Sequence, residues 1–356
     1  MPLDDPLLGS AGDRELSPHD SFRAETRPPA EDTNVLRPVE SSFSLSGATG
    51  WLNSSPLGLA ELRGRVVLVS FWTYTCINWL RSLPHLRAWD AFYRRSGLVV
   101  IGVHSPEFSF ERDVDNVAWA ADALAIDYPI AIDNRFAVWR SFDNHYWPAL
   151  YLVDTHGRLR HQRFGEEGYE ETETVIRQLL DGAGAADVGG QRPVVDARGV
   201  EAPADWGNLR SGETYLGYDR TSGFASGGGL VPDEPHEYAA PARLRLGNWA
   251  ISGTWTVGGE LAALPGSPGR LSCRFHARDV HLVAAPLTRG STVGMRVLLD
   301  GHQPGPDHGV DIDAAGRGVV SEPRLYQLIR QSDRVADHTV EIDFEPGVGV
   351  YALTFG

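Results

Sequence analysis

The chain has 356 residues and a formal net charge of −15 at pH 7, and its length favours two domains over a single core. The acidic balance argues against nucleic acid as a partner, because counterion-releasing binding to phosphates needs a basic surface. All 32 lysine-plus-arginine positions are arginines, which excludes mechanisms that require a phosphate-binding or Schiff-base lysine. No apolar stretch approaches the ~18 residues of a membrane span and no signal peptide opens the sequence, so no membrane insertion and a cytoplasmic location are expected.

The first part of the chain predicts a tail followed by an α/β domain. Residues 1–35 combine prolines with acids and arginines, without apolar periodicity, and predict a disordered acidic tail. Residues 36–185 contain two continuous apolar runs, 65–72 and 98–103, that are typical of strands buried on both faces. Apolar residues at helical spacing between them, from Cys76 to about Arg95, predict an amphipathic helix. This order of strand, helix and strand requires a parallel pair of strands.

The remainder of this domain continues the alternation of helices and strands. Helices are expected near residues 111–124, 135–142 and 170–180, and strands near 129–132, 149–153 and 158–164. Pro84 lies inside the first helix, so a kink is predicted there. The pattern predicts a central mixed sheet flanked by helices.

The second half of the chain has a different character. Residues 186–212 are predicted to be a linker, since this region is rich in Gly, Ala and Asp. In residues 213–356, short apolar runs alternate with Gly, Pro and Asp turns and no long helix intervenes, which predicts an all-β, jelly-roll-like sandwich. Strands are expected within residues 242–246, 270–276, 280–284, 293–299, 340–344 and 348–355.

The two cysteines, Cys76 and Cys273, are far apart in the sequence, so thiol chemistry belongs to one cysteine at a time. A buried strand ends and a helix begins at Cys76, where unpaired amides and the helix dipole favour thiolate over thiol. This position predicts a reactive cysteine; the alternative is a buried thiol without function. Cys273 lies in an alternating run and is expected to be a core residue of the sandwich.

The segment around Cys76 resembles the thioredoxin superfamily, in particular its redoxin or TlpA-like members, and the resemblance covers about 120 residues. Phe71 and Trp72 precede the cysteine as in that family, and Pro84 falls at its helix-kink position. Trp147-Pro148 falls where the family has its cis-proline loop. The resemblance implies a thioredoxin fold in which this loop faces the thiol and pairs with an extended substrate.

Four segments are more closely similar to the DipZ-type proteins, which fuse a membrane electron carrier of the cytochrome c biogenesis type to a thioredoxin-like domain. They are residues 73–78, 102–107, 146–149 and 213–218. In that group a carbohydrate-binding-module-like β-sandwich follows the thioredoxin-like domain. The resemblance therefore implies a possible glycan partner for the sandwich, and an extracytoplasmic piece of a larger membrane protein as the alternative location.

The chain departs from the family in two places. Trp79 stands where the family motif CxxC has its second cysteine, so an intramolecular disulfide at this site and the ordinary dithiol cycle are excluded. Ser70 replaces the buried acid that thioredoxins carry six residues before the cysteine. Thr73, three residues before Cys76, is similar to the T-x-x-C pattern of peroxiredoxins, although Val69 stands in place of their proline.

The predicted function is that of a single-cysteine thiol-disulfide oxidoreductase, acting through a mixed disulfide or a sulfenic acid that an external thiol resolves. Its substrate would be a disulfide-containing protein or a peroxide. The alternatives are a redox-inactive binding module for a peptide or glycan, and a one-cysteine thiol peroxidase. Neither a cofactor nor a metal ion is expected.

The candidate site residues follow from these arguments. Cys76 is the candidate catalytic residue, and His104 and Glu107 are further candidates because they follow a strand at the carboxyl edge of the sheet. The residues expected to shape the site are Thr73, Thr75, Trp79, Trp147 and Pro148. In the sandwich, Trp249, Trp255 and Tyr326 are either core residues or platforms for sugar rings.

Overall fold

The computed structural model describes residues 44–185, 188 and 190–356. The predicted tail, residues 1–35, lies outside the described residues. Within them the chain forms a thioredoxin-fold part and then an all-β part, as the sequence predicts.

The thioredoxin-fold part is built on a mixed sheet of six described strands in the order β1-β4-β3-β2-β5-β6. The central strand β2 (Val66–Trp72) pairs in parallel with β3 (Leu98–His104) and antiparallel with β5 (Ala149–Val153). Every residue of β2 is buried, as its continuous apolar run requires. The outer strands are β1 (Gly50–Leu52), β4 (Ile130–Ile132) and β6 (Leu159–Phe164).

The helices of this part are α1 (Leu59–Leu62), α2 (Ile77–Tyr93), α3 (Val114–Ala123), α4 (Ala137–Ser141) and α5 (Tyr169–Gly182). Helix α2 continues from end to end through Pro84. A short 3-10 helix, Ser109–Arg112, occupies the start of the segment that the sequence predicts as one longer α-helix.

The all-β part is one curled antiparallel sheet of eleven described strands that folds over its own core. The strands are β7 (Thr214–Tyr215), β8 (Pro235–Tyr238), β9 (Trp249–Val257), β10 (Ala262–Leu264), β11 (Gly269–His276), β12 (Asp279–Pro286), β13 (Val293–Leu299), β14 (Arg317–Val320), β15 (Arg324–Arg330), β16 (Asp337–Phe344) and β17 (Val348–Phe355). The strand expected within residues 242–246 is absent, and this segment forms a mostly exposed loop. Its two leucines alternate with exposed arginines and have no core face to cover, so no burial stabilises a strand there.

The two parts pack against each other around the loop that follows β3. The rings of Phe108 and Phe110 lie 5.3 and 4.8 Å from the ring of Tyr351. Glu260 accepts hydrogen bonds from the backbone N–H and the hydroxyl of Ser109, at 2.7 and 2.5 Å. Arg289 pairs with Asp113 at 3.1 Å. No helix in the described part of the chain is long and apolar enough to cross a membrane.

Candidate functional site

Cys76 lies at the junction between β2 and α2, where the sequence places it. It is the N-cap residue of α2, and its carbonyl accepts the hydrogen bond from Leu80 N at 3.0 Å that starts the helix. The residue is partly exposed and its thiol is free. Cys273 is also free but is a core residue of the all-β part, 1% exposed, and burial raises the pKa of its thiol to about 12. The two thiols therefore lie in different parts of the protein and are not joined in a disulfide.

Opposing influences act on the Cys76 thiol. Burial of the sulfur and, next, the nearby Glu107 carboxylate raise its pKa well above the usual value, although part of the residue is exposed. The backbone N–H groups of Trp79 and Asn78 lower the pKa, as expected for a helix N-terminus. The net direction is upward, opposite to the expectation from the helix start alone, because desolvation and a neighbouring negative charge outweigh the amides.

Trp79 packs in the core and does not cover the sulfur as an exposed aromatic lid. It is fully buried, and its ring stacks on that of Trp72 with 4.3 Å between centroids and 25° between planes. The side chain at the fourth position of the motif therefore fills the space between α2 and β2.

The loop before β5 lies at the same edge of the sheet as Cys76. The Trp147-Pro148 peptide bond is cis, as the resemblance implies. Because Phe71 pairs with Ala149 in the antiparallel β2–β5 ladder, Pro148 lies beside the end of β2, from which the chain leads to the cysteine. The ring of Trp147 packs on that of Trp139, 4.5 Å away.

Thr75 joins the cysteine segment to the loop after β3 through a residue that sequence reasoning missed, Glu111. The Thr75 hydroxyl donates to Glu111 Oε1 at 2.6 Å, and Glu111 Oε2 accepts from the backbone N–H groups of Glu107 and Phe108 at 2.6 and 2.9 Å. Glu111 is fully buried, and burial followed by the Glu107 charge raises the pKa of its carboxyl to about 7. Thr73 is also fully buried.

His104 is a neutral core residue. It is fully buried, with its ring 4.9 Å from Trp72 and 5.8 Å from Tyr74. Burial lowers the pKa of the imidazole to about 3. The structure therefore gives His104 a packing role, in contrast to its candidacy as a catalytic group.

Glu107 is held by residues of the all-β part. Its Oε1 lies 2.8 Å from the Tyr215 hydroxyl and accepts from Arg220 Nη2 at 2.9 Å. The same hydroxyl lies 2.7 Å from Glu213 Oε2, and the Arg220 guanidinium lies 3.5 Å from the centre of the Tyr215 ring. Burial, and then the Glu107 charge, raise the pKa of Glu213 to about 7.

Sequence reasoning did not assign Glu213, Tyr215 or Arg220 to the site. They lie more than 100 residues from Glu107 in the sequence, and only the folded contact between the two parts brings them to it. The sole sequence signal was the resemblance of residues 213–218 to DipZ-type proteins.

The aromatic residues considered as sugar platforms in the all-β part are core residues. Trp249, Trp255 and Tyr326 are each 0% exposed. A ring must present an open face to stack on a sugar, so these three cannot bind a glycan in this way.

A helix-capping cysteine beside a cis-proline loop on this mixed sheet defines a thioredoxin-like protein. Residues 42–162 match the AhpC/TSA family, and residues 211–356 match the family of the thioredoxin like C-terminal domain. The chain therefore carries these two thioredoxin-like domains in this order.

Protein DipZ from Mycobacterium bovis and from Mycobacterium tuberculosis is 36% identical over 320 residues, which cover 88% of this chain and 42% of DipZ. The chain thus spans less than half the length of DipZ. The thiol-disulfide oxidoreductase YkuV of Bacillus subtilis is 28% identical over 136 residues, 38% of this chain and 91% of YkuV. A solved structure of a thioredoxin-like protein in its oxidized form is 28% identical and covers 38% of this chain and 90% of its own, with a TM-score of 0.35.

Proposed function

We propose that the chain is a thiol-disulfide oxidoreductase that works with a single cysteine, Cys76. The observation that carries this proposal is the position of Cys76, partly exposed at the N-cap of α2, at the sheet edge that also holds the Pro148 loop. Trp79 is buried and Cys273 lies in the core of the other part, so the resolving thiol would come from outside these 356 residues. In a cytoplasmic location small-molecule thiols would supply this step, and in the alternative, extracytoplasmic location a protein thiol would have to do so.

In this cycle the Cys76 sulfur attacks a disulfide of a partner protein and forms a mixed disulfide, releasing one thiol of the partner. An external thiol then attacks the partner's sulfur and returns Cys76 to its reduced form. These two steps leave the partner with one free thiol and one mixed disulfide to the external thiol; a second external thiol then releases the other partner thiol, so that in total the partner's disulfide is reduced and two external thiols are oxidised to a disulfide. The Pro148 loop would position the partner's backbone as an added strand.

A peroxide is the second candidate substrate. The match of residues 42–162 to the AhpC/TSA family and the position of Thr73 favour it. Cys76 would be oxidised to a sulfenic acid while the peroxide is reduced; one external thiol would convert the sulfenic acid into a mixed disulfide with release of water, and a second would return Cys76 to its thiol form and leave the two external thiols as a disulfide.

A redox-inactive binding module is the alternative from another class of function. The raised pKa of the Cys76 thiol favours it, since a thiol that stays protonated is a weak nucleophile. The loop around Trp147 and Pro148 would then bind an extended peptide without chemistry. A glycan partner for the all-β part would need residues other than its three buried aromatic side chains.

The test is to trap the mixed disulfide. A Cys273→Ser variant, in which Cys76 is the one thiol, is incubated with oxidised glutathione, and the peptide that contains Cys76 is analysed by mass spectrometry. We expect a glutathione adduct on Cys76 that reduced thiol removes, and no adduct in a Cys76→Ser variant. If the folded protein never forms the adduct, the binding module is favoured. Consumption of hydrogen peroxide is measured in parallel, and consumption that depends on Cys76 would support the thiol peroxidase.

A further inference from the structure

The loop after β3, residues 105–113 (the β3 loop), holds the chain segment that leads to Cys76. Thr75, the residue before Cys76, is 2% exposed, and its hydroxyl donates to Glu111 Oε1 at 2.6 Å. Glu111 is fully buried, so breaking this hydrogen bond would leave a buried carboxyl oxygen without a donor. The position of Thr75 therefore follows that of Glu111.

The second oxygen of Glu111 fixes the beginning of the same loop. Glu111 Oε2 accepts from the backbone N–H groups of Glu107 and Phe108 at 2.6 and 2.9 Å. One carboxyl group therefore ties the backbone at Glu107 to the hydroxyl of Thr75. We expect a displacement of Glu107 to move or break the contact with Thr75.

The Glu107 side chain, in turn, is held by the all-β part. Its Oε1 accepts from Arg220 Nη2 at 2.9 Å and lies 2.8 Å from the Tyr215 hydroxyl. The Arg220 guanidinium lies over the Tyr215 ring, 3.5 Å from its centre, so the two groups that hold Glu107 also hold each other. Every link from the all-β part to Thr75 is thus a hydrogen bond, and the linking side chains are largely shielded from water.

An aromatic contact joins the same three pieces of the protein. The ring of Tyr74, next to Thr75, lies 6.1 Å from that of Phe110 in the β3 loop, and Phe110 lies 4.8 Å from Tyr351 of β17. All three rings belong to or pack against one hydrophobic core, against which Cys76 also packs. Two neighbouring residues before the cysteine are therefore each linked to the all-β part through the β3 loop.

We infer that the all-β part positions the segment 73–76 for attack on a disulfide: Tyr215 and Arg220 act on Thr75 through the β3 loop. The inference rests on the proposed oxidoreductase function, and it makes Tyr215, Arg220 and Glu111 positioning residues. They act through Thr75 and not on the sulfur itself. Attack on a disulfide requires the three sulfur atoms to lie nearly in line, so a small displacement of the attacking sulfur slows the reaction strongly.

The test is a double-mutant cycle on two hydroxyl groups at opposite ends of this path. Tyr215→Phe and Thr75→Val each remove one hydroxyl and leave the charge unchanged, and they are made alone and together in the Cys273→Ser chain. Two rates are measured at one pH: formation of the Cys76 mixed disulfide with oxidised glutathione, and alkylation of Cys76 by iodoacetamide. Alkylation by this small reagent depends mainly on the thiolate fraction and on access to the sulfur, so the ratio of the two rates isolates the positioning.

We expect each single variant to lower the ratio of disulfide formation to alkylation by about tenfold. Because both hydroxyls belong to one path, the double variant should also lose about tenfold, whereas two independent effects would multiply to about a hundredfold. Thr75→Ser keeps the hydroxyl and should return the ratio to within about twofold of the parent.

Ser109→Ala is the matched control. It removes one hydroxyl from the same contact between the two parts, the hydrogen bond from Ser109 to Glu260 at 2.5 Å, but this bond lies off the path to Thr75. Its ratio should stay within about twofold of the parent. A loss equal to that of Tyr215→Phe would mean that any disturbance of the contact slows the reaction, and it would overturn the assignment of this path.

The inference is also overturned by unchanged ratios in the single variants, by a loss above about thirtyfold in the double variant, or by a Thr75→Ser variant as slow as Thr75→Val. If the parent forms no glutathione adduct, the proposed function fails, and amide hydrogen exchange then decides the inference. Residues 73–76 should exchange faster in Tyr215→Phe than in Ser109→Ala and the parent. Equal exchange in the three proteins would contradict the positioning role.

Discussion

Cys76 combines a position that favours a thiolate with surroundings that oppose it. The amides of Asn78 and Trp79 lower the pKa of its thiol, while burial and Glu107 raise it further. In a CxxC protein, the second thiol could resolve the mixed disulfide from within the site. Here Trp79 occupies that position, so the chemistry of the single sulfur depends on the groups that surround it.

Trp79→Ala tests whether this side chain belongs to the core. Because Trp79 is fully buried and stacked on Trp72, its truncation should lower the free energy of unfolding by about 3–5 kcal/mol. Trp119→Ala is the control: Trp119 is 39% exposed, and its loss should cost about 1 kcal/mol or less. Urea unfolding of both variants provides the comparison. If both variants lost similarly little free energy of unfolding, Trp79 would be an aromatic lid over the Cys76 sulfur and not a core residue.

At the scale of elements, strands with continuous apolar runs were predicted well. The expected strand at residues 149–153 coincides with β5, and the runs before and after the first helix became β2 and β3. Burial on both faces leaves a strong signal in such strands, because every position must be apolar. The end of the buried strand and the helical spacing after it predicted that α2 begins at Cys76, which is one residue before its first residue, Ile77.

The elements that were missed have weaker signals. Strand β1 pairs with β4 at the edge of the sheet. With three residues, it is too short to show a hydrophobic pattern in the sequence. Strand β9 contains Gly253 and Ser252 at its centre, and glycine is disfavoured in strands, so its strand signal is weak although all of Trp249–Val257 lies in the sheet. The predicted strand at residues 242–246 was wrong for the opposite reason: it has apolar residues but no core to cover.

Some residues of the candidate site follow from local sequence and others from long-range contacts. Cys76 and Pro148 follow from local sequence, because a motif and a turn specify them. Glu111 and Tyr215 reach the site through contacts over 36 and 108 residues of sequence separation, which no local pattern encodes. The burial of His104 among aromatic side chains could not be foreseen from its place after a strand, because these rings come from other segments of the chain.

At the scale of the whole molecule, buried titratable groups predict how stability depends on pH. Burial raises the pKa of Glu111, Glu166 and Glu213 to about 7, so each stabilises the fold below its unfolded pKa near 4.5 and loses this contribution as pH rises through 7. Burial lowers the pKa of His85 to about 4 and of His104 to about 3. These contribute stability above pH 6.5 that is lost as pH falls towards their folded values.

Between about pH 4.5 and 6.5, rising pH lowers the free energy of unfolding through the three glutamates and raises it through the two histidines. Outside that range, only one of the two groups of residues changes its protonation. Because three glutamates outweigh two histidines in that range, we expect the urea midpoint to be highest near pH 5 and to fall on both sides, with a loss on the order of 2 kcal/mol in unfolding free energy between pH 6.5 and 8.5. A double variant with Glu111→Gln and Glu213→Gln should lose less over this alkaline range than the parent. A midpoint that rises steadily from pH 6.5 to 8.5 would contradict this assignment.

The central claim, that Cys76 alone carries thiol-disulfide chemistry, is tested most directly by turnover. The measurement is the rate at which the Cys273→Ser chain reduces a peptide disulfide with reduced glutathione as the electron donor. We predict a rate that saturates with peptide and exceeds that of the Cys76→Ser, Cys273→Ser double variant by at least about a hundredfold, in line with covalent catalysis by the Cys76 sulfur. Equal rates for the two proteins would contradict the account.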